Sequence, residues 1–297
     1  MMQTKKIIFS SIIIISSFAQ AANPFSPDSG IPPKIAGMKL VFSEEFNYEG
    51  KPDSTIWGYE TGFQRNNELQ WYQSDNANCS DGRLLIEGRK ANFPNPNFLA
   101  ESSDWRKNRK MVNYTSACIK TAKKKSWLFG RFEVRARIDT AMGSWPAIWT
   151  LGMEKEWPSN GEIDMLEFYR PDNVPTILAN IAWGTEQRFR PKWNFYRKPL
   201  KELLEQDKDW VRKYHVWRMD WTKEAIKLYV DDVLFNSNLV SETINADGSN
   251  PYLQPQYLLL NLALGSSGGD PTHSNFPITF EVDYVRVYQT ENTNLTN

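Results

Sequence analysis

Residues 157–168 read Trp157-Pro-Ser-Asn-Gly-Glu162-Ile-Asp164-Met-Leu-Glu167-Phe168, with three carboxylates inside an otherwise apolar run. In a β-strand, residues i and i+2 share a face, so Glu162 and Asp164 point the same way. Glu167 lies at i+5 from Glu162 and has the wrong parity. One extra residue at Met165-Leu166, a β-bulge, restores it to the shared face, and bulges beside active sites re-aim side chains in this way. Crowded carboxylates resist joint ionisation, so at least one is expected to hold its proton. Cleavage of a glycoside uses such a pair. One carboxylate attacks the anomeric carbon, while the other protonates the leaving oxygen and then serves as base for water, with the two about 5–5.5 Å apart in retaining enzymes. A solvated acidic edge would not carry Ile163, Met165, Leu166 and Phe168. A calcium loop would need more oxygen ligands and a turn-forming Gly within the acidic run.

Outward from this segment the chain is a succession of short strand-like runs: Leu84–Arg89, Ala117–Thr121, Gly130–Ile138, Ala147–Leu151, Glu162–Phe168, Ile177–Trp183, His215–Asp220, Ala225–Val230, Tyr257–Leu264 and Thr279–Tyr288. Phe132, Val134, Ala136 and Ile138 alternate with Arg131, Glu133, Arg135 and Arg137, which gives one inward and one polar face. Asp81-Gly82 and Asp231-Asp232 read as hairpin turns. Only Leu200–Asp207 looks helical, and no repeat of 20–50 residues is present. Many short strands with turn signals and almost no helix predict an all-β sandwich. Residues 92–113, rich in Pro, Asn, Ser and charge, predict a long surface loop of the kind that shapes binding sites.

The 297 residues carry 35 basic and 35 acidic side chains, a formal net charge of +0, so no basic excess points to nucleic acid or an anionic membrane. Aromatic residues are abundant, with 12 Trp, 12 Tyr and 16 Phe. Most serve a core, but flat aromatic faces also suit sugar rings. Residues 1–21 read as a secretion signal: Lys5 and Lys6, an apolar run Ile7–Phe18, then Ala19-Gln20-Ala21 as a small-x-small cleavage site. The run is short for an uncleaved anchor, no second one follows, and no Cys stands at the cleavage point for a lipid. The expectation is a secreted or periplasmic protein with no membrane span after cleavage. Its organisation would be an extended lead-in at 22–37, one domain at 38–289 and a tail at 290–297. Cys79 and Cys118 are a disulfide candidate in an oxidising compartment, or else two buried free thiols.

Competing chemistry finds little support. Of the two His residues, His215 and His273, His215 lies in an alternating strand and reads as structural. There is no Gly-x-Ser-x-Gly elbow, phosphate loop or His-Glu-x-x-His motif, and Gly265–Gly269 lacks the Lys and following helix of a phosphate cradle.

Gly161-Glu-Ile-Asp-Met-Leu-Glu167 resembles the signature of glycoside hydrolase family 16 in its bulged Glu-x-Asp-x-x-Glu form, typical of laminarinases, agarases and endo-galactanases. Similar family segments are Phe42–Phe46, Asn66–Gln70, Tyr114–Ala117, Gly130–Arg135, Gly143–Trp149, Asp220–Thr222, Tyr229–Asp231 and Val282–Tyr288, so the resemblance spans roughly residues 38–289. It implies a jelly-roll of two curved antiparallel sheets with an open concave cleft. It also implies Glu162 as nucleophile, Asp164 as its assistant and Glu167 as acid/base. Asn67, Glu133, Arg135, Trp145, Trp157 and Trp183 would be sugar-binding residues, and Asp283 a ligand of a structural calcium. The chemistry needs no cofactor, and the expected partner is a glycan bound by a monomer.

The chain departs from the resemblance at one place. Glucan-cleaving relatives usually carry His-Gly-Thr-x-His after the catalytic strand, whereas here the stretch is Leu178-Ala-Asn-Ile-Ala182, so both His are lost. That leaves room for a galactose-containing chain (galactan, agar-like or poly-N-acetyllactosamine and mucin O-glycans) beside a β-1,3- or mixed-linkage glucan. A non-catalytic carbohydrate-binding module would have no need of both glutamates. A transglycosylase would share the same covalent intermediate, and the sequence does not separate it from a hydrolase.

Overall fold

The computed structural model describes residues 23–291 apart from residue 29. The expected leader at 1–21 and most of the expected tail lie outside the described residues. Two sheets are packed face to face. Across the first, in spatial order, run Pro191–Pro199, Thr176–Gly184, Glu162–Tyr169, Ser144–Gly152, Gln256–Leu264, Cys118–Lys120 and Gly58–Tyr59. This is the cleft sheet. The outer sheet runs Val233–Leu239, Ala225–Val230, His215–Trp221, Gly130–Ile138, Ile278–Thr290, Arg83–Pro94, Met111–Ser116 and Gln70–Tyr72. Met38–Glu44 pairs with Ile278–Thr290, and Ala77–Ser80 with Arg83–Pro94. The ladders are antiparallel except where Gln70–Tyr72 lies parallel to Met111–Ser116. The architecture is the expected all-β jelly-roll sandwich.

Alternation decides which face each strand buries. Phe132, Val134, Ala136 and Ile138 are all buried in the core between the sheets. Trp217, Met219 and Trp221 join them from the next strand and Ile163, Phe168, Ile177 and Ile181 from across. Each fully buried large apolar side chain stabilises the sandwich by about 1.5–3 kcal/mol. Both expected hairpins are present. Asp81 and Gly82 have φ of 50° and 71°, and Asp231 and Asp232 have 47° and 67°. Two left-handed residues match the twist of the flanking strands, and Asp and Gly tolerate that region best. The expected helix spans Leu200–Gln206 and buries Leu200 and Leu203.

Two expectations need correction. The strand Pro191–Pro199 is bounded by prolines and carries charge, which hid it from the sequence reading. Residues 92–113 are also not one loop, because Arg83–Pro94 and Met111–Ser116 extend into both ends. Between them sits a single helical turn, Trp105–Asn108, capped by Asp104. The segment packs on the cleft rim. Trp105 meets Phe63, and Arg109 lies over both rings, 4.6 and 5.0 Å from their centres. Arg109 then donates to the carbonyls of Asn67 and Glu68.

Candidate active site

The bulge predicted from parity is present. Glu162 pairs with Ala182 and Asp164 with Asn180, but Glu167 pairs with Leu178, so Met165 and Leu166 together oppose Ala179. Met165 and Leu166 are both buried in the core. Glu162, Asp164 and Glu167 therefore share the opposite, concave face. The approach to the strand is fixed by Gly161, whose φ is 77°. A Cβ there would lie 2.7 Å from Pro251 Cβ, so only glycine fits both the backbone and the space.

Each glutamate is held by neutral donors. Trp157 Nε1 donates to Glu162 at 2.5 Å. Trp145 Nε1 donates to one oxygen of Glu167 at 3.0 Å, and Asn180 Nδ2 to the other at 3.1 Å. Asp164 is within hydrogen-bonding reach of both glutamates. Burial, then the charges of Glu167 and Glu162, push the Asp164 carboxyl well above its ordinary value. Its Oδ2 is buried and receives no donor. A proton on Asp164, shared with Glu162, resolves that deficit. Glu162 is also raised by burial, but Trp157, Asp164 and the Arg65 charge oppose the shift and favour its ionised form. Burial and the Glu162 charge raise Glu167 to about 7. Two carboxyls on one face thus differ in environment, which separates their protonation.

The other expected site residues divide. Trp145 and Trp157 touch the glutamates directly. Asn67 is exposed on a rim loop pinned by Leu69 N–H to Leu264 O at 2.8 Å and by Ser266 Oγ to Asn66 O at 2.7 Å. Trp183 is a correction: it lies one residue past Ala182, faces the core and is 4% exposed. Glu133 and Arg135 are a second correction, because their strand belongs to the outer sheet. Glu133 stands between Arg218 and Arg286 there. The alternation that marked their polar face could not say which sheet it belonged to.

Arg135 also answers the calcium expectation. Its guanidinium is buried, pairs with Asp283, and donates to the carbonyls of Ser26 at 3.0 Å and Asn23 at 2.7 Å. The same Asp283 oxygen accepts the Asp28 N–H. A carboxylate and two carbonyls are thus already gathered around a side-chain cation, and a calcium ion does not fit there. Among the described residues, no three His, Cys, Asp or Glu side chains gather elsewhere to hold a metal.

Cys79 and Cys118 are free. Cys79 belongs to the inter-sheet core. Cys118 lies in a small cluster with Tyr72, Ala147, Trp149 and Leu259 on the concave side of the cleft sheet. His215 is structural, as expected: Nδ1 meets Asp231 at 2.5 Å, Nε2 meets Trp210 O at 2.8 Å, and the ring stacks on Trp210.

Sequence reasoning missed Asn180, although it faces Asp164 across the ladder and its position follows once the strand register is known. It also missed Arg65, which lies 5.1 Å over the Trp149 ring, and Trp149 pairs with Asp164.

A family model described as Glycosyl hydrolases family 16 matches residues 71–286. A beta-glucanase of Rhodothermus marinus is 34% identical over 86% of this chain and 87% of its own. A solved structure from work on endo-acting O-glycanases that human gut bacteria express to initiate mucin breakdown is 36% identical, with a TM-score of 0.78 over 88% of this chain and 94% of that one. The catalytic domain LamAcat from Zobellia galactanivorans is 33% identical, with a TM-score of 0.67 over 84% of this chain and 97% of that one.

Proposed function

Because the chain belongs to glycosyl hydrolases family 16, we propose that it is an endo-acting, retaining β-glycoside hydrolase with Glu162 as nucleophile and Glu167 as acid/base. The observation that carries this is the bulge at Met165-Leu166, which sets both glutamates on one concave face while their surroundings separate their protonation.

The chemistry follows from those surroundings. Glu162, hydrogen-bonded by Trp157 and protonated Asp164, attacks the anomeric carbon as a carboxylate. Glu167 gives its proton to the departing oxygen, and Trp145 and Asn180 stabilise the charge left on it. Forming the glycosyl ester consumes the Glu162 charge that had raised Glu167. Its pKa then falls, and the same group becomes the base that activates water. Hydrolysis of the ester regenerates Glu162 and returns the proton to Glu167. No cofactor takes part.

For the substrate we propose a galactose-containing glycan, of the mucin O-glycan or poly-N-acetyllactosamine type. Ala182 pairs with Glu162 and Leu178 with Glu167, so the two positions where glucan-cleaving relatives usually carry His lie on the cleft floor. Ala182 pairs with Glu162 on one side and Trp193 on the other, so no imidazole stands beside Glu162 to favour a glucosyl unit there. The 36% identity to the O-glycanase-associated structure supports this reading. The second reading is a β-glucan, favoured by the beta-glucanase relative. The leader at 1–21 would export the enzyme, which we read as a monomer.

The test is incubation of residues 22–297 with laminarin, mixed-linkage β-glucan, agar, β-galactan, keratan sulfate and mucin O-glycans, with products read by mass. Fragments from keratan or mucin support the galactosyl reading. Ladders from glucans alone overturn it in favour of the second. No product from any substrate with folded protein contradicts the enzyme.

A further inference from the structure

The edge strand of the cleft sheet, Pro191–Pro199, places Trp193, Phe195 and Arg197 at alternate positions. Its ladder sets Trp193 opposite Ala182, Phe195 opposite Asn180 and Arg197 opposite Leu178. Those three residues in turn face Glu162, Asp164 and Glu167. Directly paired residues in an antiparallel ladder share a face. The three edge side chains therefore look into the cleft, two strand spacings from the carboxylates, about 10 Å. Trp193 and Phe195 stack, with ring centres 5.4 Å apart at 17°, and the Arg197 guanidinium lies 5.4 Å from the Phe195 ring centre. Phe195 is 52% exposed.

Among the described residues, Arg197 has no acidic partner: no carboxylate lies within ion-pair distance of it. Lys198, on the other face of the same strand, pairs with Glu202, and Arg188 pairs with Glu156. Charge on an edge strand serves to repel other strands. That bland role needs neither a cleft-facing position nor an exposed stacked aromatic pair beneath the charge.

We propose that Trp193 and Phe195 form a sugar-stacking shelf, and that Arg197 reads an anionic substituent, a sulfate ester or a carboxylate, on the glycan unit held there. The inference rests on the glycan-cleaving reading above and narrows it to acidic chains. A planar guanidinium offers paired N–H donors that match two oxygens of either anion. Stacking on Phe195 restricts its motion before the ligand arrives, so less freedom is lost on binding. The shelf borders one edge of the cleft, and the Arg65 and Asn67 loop lies toward the opposite one, so the anion is read on one side of the scissile bond only.

The test uses three oligosaccharides of matched length: neutral, sulfated, and carboxylated by a sialic or uronic acid. Affinity is measured by titration into the Glu162→Gln protein, and kcat/KM in the active protein. Binding is thus read even if turnover fails, and turnover of the neutral chain tests the function separately. The expected result is a preference of about tenfold for one of the two anionic chains, of the size a partly exposed charged hydrogen bond gives. The preferred anion identifies the source. In Arg197→Ala the ratio of anionic to neutral falls to about one, in Arg197→Lys it is partly kept, and in Trp193→Ala affinity falls for all three. An anionic-to-neutral ratio that Arg197→Ala leaves unchanged, or a wild-type preference for the neutral chain, overturns the proposal.

Discussion

The two sheets treat charge in opposite ways. On the outer sheet, ionised groups are matched: Arg131 with Asp220, Arg137 with Glu281, Arg286 with Glu45, and buried Arg135 with Asp283. On the concave face of the cleft sheet, three carboxyls stand together, and their bonded donors are the neutral side chains Trp145, Trp157 and Asn180. A buried charge with a partner fixes structure. Buried carboxyls without a cation bonded to them have raised pKa values, and a carboxyl poised near 7 can both give and take a proton at neutral pH. The same residue types therefore have different work on the two sheets, and substitutions should separate them.

The largest effect is expected at Glu162. Glu162→Gln keeps the shape of the side chain and removes the attacking charge, so kcat should fall by several orders of magnitude while glycan binding persists. Glu167→Gln should cost about 10²- to 10⁴-fold on natural glycans. It should cost far less in the first step with an aryl glycoside whose leaving group needs no proton, which a stopped-flow burst would show. Equal losses on both substrates would deny Glu167 the role of acid.

The outer sheet should respond in stability instead. Arg135→Met strands Asp283 as an unpaired buried carboxylate and should destabilise the fold by about 3–5 kcal/mol, measured by denaturant titration. Adding Asp283→Leu should recover part of that loss. If Arg135→Met alters kcat/KM and leaves stability unchanged, the division between the sheets fails.

The smallest effects concern pH. With Glu167 raised to about 7, activity should decline as pH rises through that value and the acid loses its proton. Trp145 donates to the Glu167 carboxylate and stabilises its charged form, which lowers its pKa. Trp145→Phe removes that donor, so the basic limb should move upward, by up to about one pH unit. A downward shift would contradict the assigned donor.

Much of this division could be read in the sequence, and its gaps have physical causes. Parity in Glu162–Phe168 demands a bulge, and the bulge lies where the arithmetic puts it. Alternation in Gly130–Ile138 identifies a buried and a polar face. It does not say that the polar face looks away from the cleft, because that depends on which sheet the strand joins. Trp183 illustrates the reverse. Pairing of Ala182 with Glu162 sends its neighbour into the core, but the pairing is a long-range fact. Trp193 and Phe195 are hidden because their strand is an edge, bounded by prolines and interrupted by Lys192, Arg197 and Lys198, and so lacks the apolar run that marks a central strand. Asn180 and Arg65 reach the site only through tertiary contact.

Trapping the covalent intermediate tests directly whether Glu162 is the nucleophile. The protein is treated with a 2-deoxy-2-fluoro glycoside of the sugar on the attacked side of the cleaved bond, then digested and mapped by mass. A glycosyl ester on Glu162 is expected, with first-formed product of unchanged anomeric configuration from the untreated enzyme. A label on Glu167, or no label together with inverted product, would contradict it.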